Sequence, residues 1–79
     1  MSDFDRLLNF DENLEVWRVP SREICVKFCD THVKGAGVLI GTYGCGKDIY
    51  EASTDYMRKI SGKTLVTEKY GNRREAVVL

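Results

Sequence analysis

The sequence has no surplus of charge of either sign: twelve Lys+Arg stand against twelve Asp+Glu in 79 residues. That balance removes the simplest argument for a protein that coats nucleic acid or an anionic membrane. Proline occurs once, at Pro20, and 43% of the residues are hydrophobic, which argues against a disordered chain. No apolar stretch approaches the ~20 residues of a transmembrane helix. The start MSDFDRLL lacks the basic-then-apolar order of a secretory leader, so a cytoplasmic protein without membrane contact is expected. Cysteine occurs three times, an odd number. Without an export signal, Cys25, Cys29 and Cys45 are expected as reduced thiols and not as a disulfide framework.

The length allows one small domain, residues 1–79, with about 4,900 Å² of surface once folded and roughly 60% of the unfolded chain's surface buried. Periodicity divides that domain. Ser2 followed by Asp5, with Phe4, Leu7 and Leu8 on one face, predicts a capped helix over 3–9. Residues 14–19 are rich in β-formers and stop at Pro20, and Ile24, Val26 and Phe28 alternate with Cys25, Lys27 and Cys29 to predict a strand over 23–30. A third strand is expected over 38–43, reached by a reversal at 30–32 or 34–37. Asp48 with Glu51, an apolar stripe of Ile49, Ala52, Tyr56 and Ile60, and a closing Gly62 predict a helix over 49–61. Residues 64–67 and 76–79 read as the last strands, joined by a turn at 70–73. The order α-β-β-β-α-β-β calls for an α+β fold of two layers, one antiparallel sheet with both helices on one face.

Candidate chemistry is sparse. Residues 41–48, GTYGCGKD, come close to the phosphate-binding pattern G-x-x-x-x-G-K-[ST], in which backbone N–H groups and a lysine hold phosphates. Asp48 replaces the magnesium-binding hydroxyl there and would repel a triphosphate, so a tight glycine turn capped into a helix is the expectation. Cys25, Cys29, His32 and Cys45 can be written as a zinc set, yet residues 25 and 29 of one strand lie about 13 Å apart, too far to share a metal. No metal or cofactor is expected. A Cys–His pair with His32 has no orienting third group in the pattern, so no catalytic residue is assigned. Carboxylate pairs such as Asp3/Asp5 and Glu51/Asp55 fit capping and solubility. Among the basic residues two groupings could touch nucleic acid, Lys63 with Lys69, and Arg73-Arg74 beside Asn72 with Tyr70 as a stacking aromatic, though an ordinary solvated turn is the expectation for such a pattern.

The αβββα run resembles the topology of double-stranded RNA-binding domains, and βββα with its following strand resembles HicB-like antitoxins. The start of the second helix, with Asp48, Glu51 and Asp55 beside Lys47, carries mostly the wrong charge for the RNA contact of the first family. Over residues 44–66, from Gly44-Cys-Gly46 through Glu51-Ala52, Asp55-Tyr56 and Lys59-Ile60 to Gly62-Lys63 and Leu65-Val66, then Asn72-Arg73-Arg74, the chain is similar to small phage- and prophage-encoded proteins of Gram-positive bacteria. That resemblance implies a viral or prophage setting in a host cell and carries over no catalytic residue. The expected function is a small non-catalytic accessory protein that binds a host or phage protein through an exposed sheet face or edge. The alternatives are a nucleic-acid-binding module using Lys63, Lys69, Tyr70, Arg73 and Arg74, and a nucleotide-binding protein using Gly41 to Asp48.

Overall fold

The computed structural model describes residues 2–69 and 71–78. Its elements follow in the order α1 (Asp3–Phe10), β1 (Leu14–Arg18), β2 (Ile24–Phe28), β3 (Thr31–Lys34), β4 (Leu39–Ile40), β5 (Gly44–Gly46), α2 (Ile49–Ile60), β6 (Thr64–Lys69) and β7 (Asn72–Val77). Both helices begin where the cap residues predict. Ser2 Oγ accepts the Asp5 N–H at 3.2 Å and donates to Asp5 Oδ2 at 2.9 Å, while Asp48 Oδ1 accepts the Glu51 N–H at 2.8 Å. Each cap satisfies a donor that the first helical turn leaves open. Gly62 follows α2 with φ 76°, a left-handed conformation that glycine adopts without a side-chain clash.

The strands form two antiparallel sheets, not the single sheet expected from the sequence. The first has the order β1-β2-β5 and the second β4-β3-β6-β7. Two local features account for the difference. The first is a corner at Cys29-Asp30, where Asp30 takes φ 50° and turns the chain out of β2 and into β3. The Cys29 N–H donates to Asn13 O at 2.9 Å, and Asp30 O accepts the Glu68 N–H at 3.1 Å, so adjacent residues bond toward different sheets. The second is β5, a strand where a glycine-rich turn was expected. It pairs with β2 in the register Ile24↔Gly46, Cys25↔Cys45 and Val26↔Gly44. The expected strand over 38–43 is correspondingly reduced to Leu39–Ile40, which pairs with β3.

Glycine in β5 is explained by the helix above it. A Cβ on Gly44 would lie 2.5 Å from Ala52 O, and one on Gly46 would lie 2.7 Å from Ala52 N. These distances are well inside van der Waals contact, so only backbone without side chains lets α2 lie this close to the strand. From there α2 points Ala52, Tyr56 and Ile60 into a core that also takes Leu7 from α1, Val26 and Phe28 from the first sheet, Val33 and Leu65 from the second, and Val78. Both sheets thus share one core. The Tyr56 hydroxyl is drawn into it and accepts the Phe28 N–H at 3.1 Å. Total accessible area is 5316 Å², close to the figure expected for this length. Among the described residues, no helix is long and apolar enough to cross a membrane.

Candidate interaction surface: the free edge of β7

β6 and β7 form a hairpin whose Gly71 has φ 78°, paired from Thr64↔Val77 to Lys69↔Asn72. β7 ends its sheet, with β6 on one side and, among the described residues, no strand on the other, and all six of its residues are exposed. The expected strand over 76–79 therefore starts earlier, and Leu79 lies outside the described residues. Because side chains alternate along a strand, Arg73 and Arg74 project to opposite faces.

On one face Arg73 is surrounded by carboxylates. Its guanidinium is 4.0 Å from Glu68 Oε1 and 4.0 Å from Glu75 Oε2, and Lys34 Nζ reaches Glu75 Oε1 at 2.7 Å. Lys34, with a smaller contribution from Arg73, holds the Glu75 carboxyl below its usual range. Charges there alternate in sign. On the other face Arg74 lines a groove of about 460 Å³ with Thr67, Asn72 and Ala76 of the hairpin, closed by Phe10, Asp11 and Asn13. Among the described residues the Arg74 guanidinium has no ion pair or side-chain hydrogen bond. Asp11 Oδ1 accepts both the Asn13 N–H at 2.9 Å and Asn13 Nδ2 at 3.0 Å. Thr31 gives its one hydroxyl proton to Cys29 O at 2.9 Å, so in the 3.1 Å Thr31–Thr67 pair Thr67 is the donor.

The basic residues singled out from the sequence lie at different places on the hairpin. Arg74 enters the groove, and Arg73 lies on the opposite face. Lys63 precedes β6 at the far end from Lys69, six residues and about 20 Å along the strand. The backbone of Lys69 lies opposite Asn72. Tyr70 lies outside the described residues. Sequence reasoning missed Phe10, Asp11, Asn13 and Thr67. For the first three the trace was the polar break at 9–13, whose Asp-x-Asn spacing suits the side-chain-to-backbone turn found there.

The other candidate motifs resolve differently. Over residues 44–46 the glycine backbone that would face a phosphate faces Ala52 and Tyr56 instead, and Asp48 is occupied as a helix cap. The cysteines depart from expectation: Cys25 and Cys45 are joined by a disulfide across β2 and β5, with Cα atoms 4.1 Å apart. The spacing argument considered only neighbours within one strand and not the cross-strand pair. With those two thiols joined, the proposed zinc set loses two of its four donors. Cys29 remains free, and the Glu15 carboxylate first, then burial and Asp30, push its thiol up, away from a reactive thiolate. Trp17 is the third member of the Cys25–Cys45 row, and its ring lies 5.9 Å from that of Tyr43. Lys59 Nζ bonds Tyr43 O at 2.9 Å and sits 5.6 Å from the same ring centre.

Comparison of the chain with protein-family models, with curated proteins and with solved structures gave no match.

Proposed function

We propose that this chain is a small non-catalytic protein-interaction module that receives an extended segment of a partner along the free edge of β7. The observation that carries this reading is the β7 edge itself, six exposed residues with no strand beyond them among the described residues. Such an edge presents unpaired N–H and C=O groups, and adding a strand satisfies them by the same pairing that β6 makes on the inner side. Natural edges are often shielded by proline, charged side chains, a bulge or a covering helix; residues 72–77 contain no proline and carry Arg73, Arg74 and Glu75, so an added strand must match those charges. A host or phage protein as partner accords with the resemblance of residues 44–66 to phage-encoded proteins. The nucleic-acid alternative is weakened by Arg73, which already lies between Glu68 and Glu75, and by the distance from Lys63 to the hairpin turn.

Selection of a displayed random peptide library on the oxidised protein tests the reading, with binders located by amide chemical shifts. The expected result is shifts concentrated on residues 72–77 and loss of binding in whichever of Glu75→Pro and Ala76→Pro stays folded, because that one removes an outward N–H. Binders that map elsewhere, a library that yields none, or a folded proline variant with undiminished binding would overturn it. So would sub-micromolar association with duplex RNA or DNA at ~150 mM salt, where non-specific phosphate contacts are already weakened.

A further inference from the structure

Resting on the β7-edge reading, we infer that the docked segment carries one acidic side chain, placed in the groove by the strand register and bound there by Arg74. Residues directly opposite in an antiparallel pair share a face, with Cβ atoms about 4.5–5.5 Å apart. A strand laid antiparallel on β7 therefore puts one side chain next to Arg74, on the groove side, and its neighbours two positions away beside Asn72 and Ala76. On the inner side Arg74 faces Thr67, an uncharged hydroxyl that donates to Thr31. Among the described residues, nothing across the hairpin neutralises the guanidinium.

The contrast with Arg73 is informative because the two are adjacent in sequence. Arg73 has Glu68 directly opposite and Glu75 two residues away. An incoming residue beside Arg73 meets a face already balanced in charge, and one beside Arg74 meets a cation without a counter-ion among the described residues. A carboxylate there gains a charge-assisted, fork-shaped contact that an amide or hydroxyl does not match. The groove's other charge limits the number of acids. Asp11 lines the same groove with one oxygen held by Asn13, so a second carboxylate on the segment meets like charge. Ala76 is small and apolar and Asn72 is polar, so the flanking positions favour an apolar residue on the Ala76 side and a hydrogen-bonding one on the Asn72 side. The partner chemistry is thus an extended peptide with a single Asp or Glu between these two kinds of residue, and not a polyacidic tract.

The test repeats the random-peptide selection on the wild-type protein, Arg74→Glu, Arg73→Glu and Asp11→Asn, each first shown to melt as a folded protein. Wild type is expected to enrich peptides with one Asp or Glu, and Arg74→Glu to weaken the best of them about tenfold or more while enriching Lys or Arg at that position. Arg73→Glu, on the same edge but with its side chain on the face away from the groove, should leave the preference for one acid beside Arg74 in place. Asp11→Asn should admit peptides with two or more acids. Peptides that shift residues 72–77 but carry no acid, or that bind Arg74→Glu as well as wild type, overturn this inference and leave the β7-edge reading standing. Peptides that shift other residues overturn the edge reading, and this inference with it.

Discussion

Asp55 Oδ2 accepts the backbone N–H of Cys45 at 3.0 Å, so a carboxylate on α2 holds the middle residue of β5. The same carboxylate pairs with Lys59 at 3.0 Å and with Arg58. Burial works to raise its pKa, but the Cys45 N–H, Lys59 and Arg58 together outweigh burial and lower it to about 2. A carboxyl depressed in the folded state adds stability that is complete above its unfolded value near 3.8 and is lost as pH falls through about 2. Because both cations are largely exposed, the contribution is about 1 kcal/mol after solvent screening. Denaturant melts from pH 6 to pH 2 should show wild type losing this increment over that window and Asp55→Asn lacking it. Parallel curves for the two proteins would remove the carboxylate from this role.

Tyr56 and Phe28 are in contact through their rings, with centroids 5.6 Å apart, and through the phenol and the Phe28 N–H. Burial holds the phenol above the ordinary tyrosine value, with the Phe28 N–H pulling the other way and Asp11 adding to the rise. Tyr56→Phe keeps the ring and strands a buried donor, which costs about 1–3 kcal/mol. Urea unfolding measures that loss. An unchanged midpoint would mean that water or a shifted backbone replaces the phenol.

Gly44 and Gly46 are spacers between β5 and α2. Gly44→Ala introduces a methyl group far inside contact distance of backbone and not of a yielding side chain, so α2 must move. The expected cost is about 3 kcal/mol or more, at the upper end of overpacking effects. Gly37, with open space around it but φ 78°, is the control: Gly37→Ala should cost about 1–2 kcal/mol from backbone conformation alone. Equal losses at the two sites would contradict the close-packing account.

The Cys25–Cys45 bond closes a loop of 20 residues. Constraining the unfolded chain over that length is worth about 3 kcal/mol. Thiol titration of unfolded protein prepared without reductant should find Cys29 alone, and full reduction should lower the melting temperature. Three titratable thiols would restore the reduced-cysteine expectation.

Helix limits were legible because they are set by chemistry local to the chain. Asp48 caps Glu51 and Gly62 ends α2 whatever surrounds them. β5 was not legible, because glycine has low strand preference and its value here comes from a helix that folds back from later in sequence. At Asp30 the sequence offered one of two sites for a reversal, and the buried phase changes there from Val26 and Phe28 to Thr31 and Val33; what it did not show is that a left-handed backbone at this non-glycine residue separates two sheets. For the candidate site, the sequence showed the basic residues but not their faces. Arg73 and Arg74 read as one pair until strand alternation put a carboxylate network beside one and an open groove beside the other.

The disulfide ring has a consequence for exchange between copies of the chain. It runs from β2 to β5 and so contains β3 and β4, which belong to the other sheet. Both ends of that hairpin are tethered to the first sheet by covalent bonds, and it cannot be lent to a second molecule while the bond is intact. The chain beyond α2 is under no such constraint. In the oxidised protein, among the described strands of that sheet the β6–β7 hairpin is therefore the part outside the ring, hinged at residues 61–63, and a swapped dimer would carry each β7 edge on a strand donated by its neighbour.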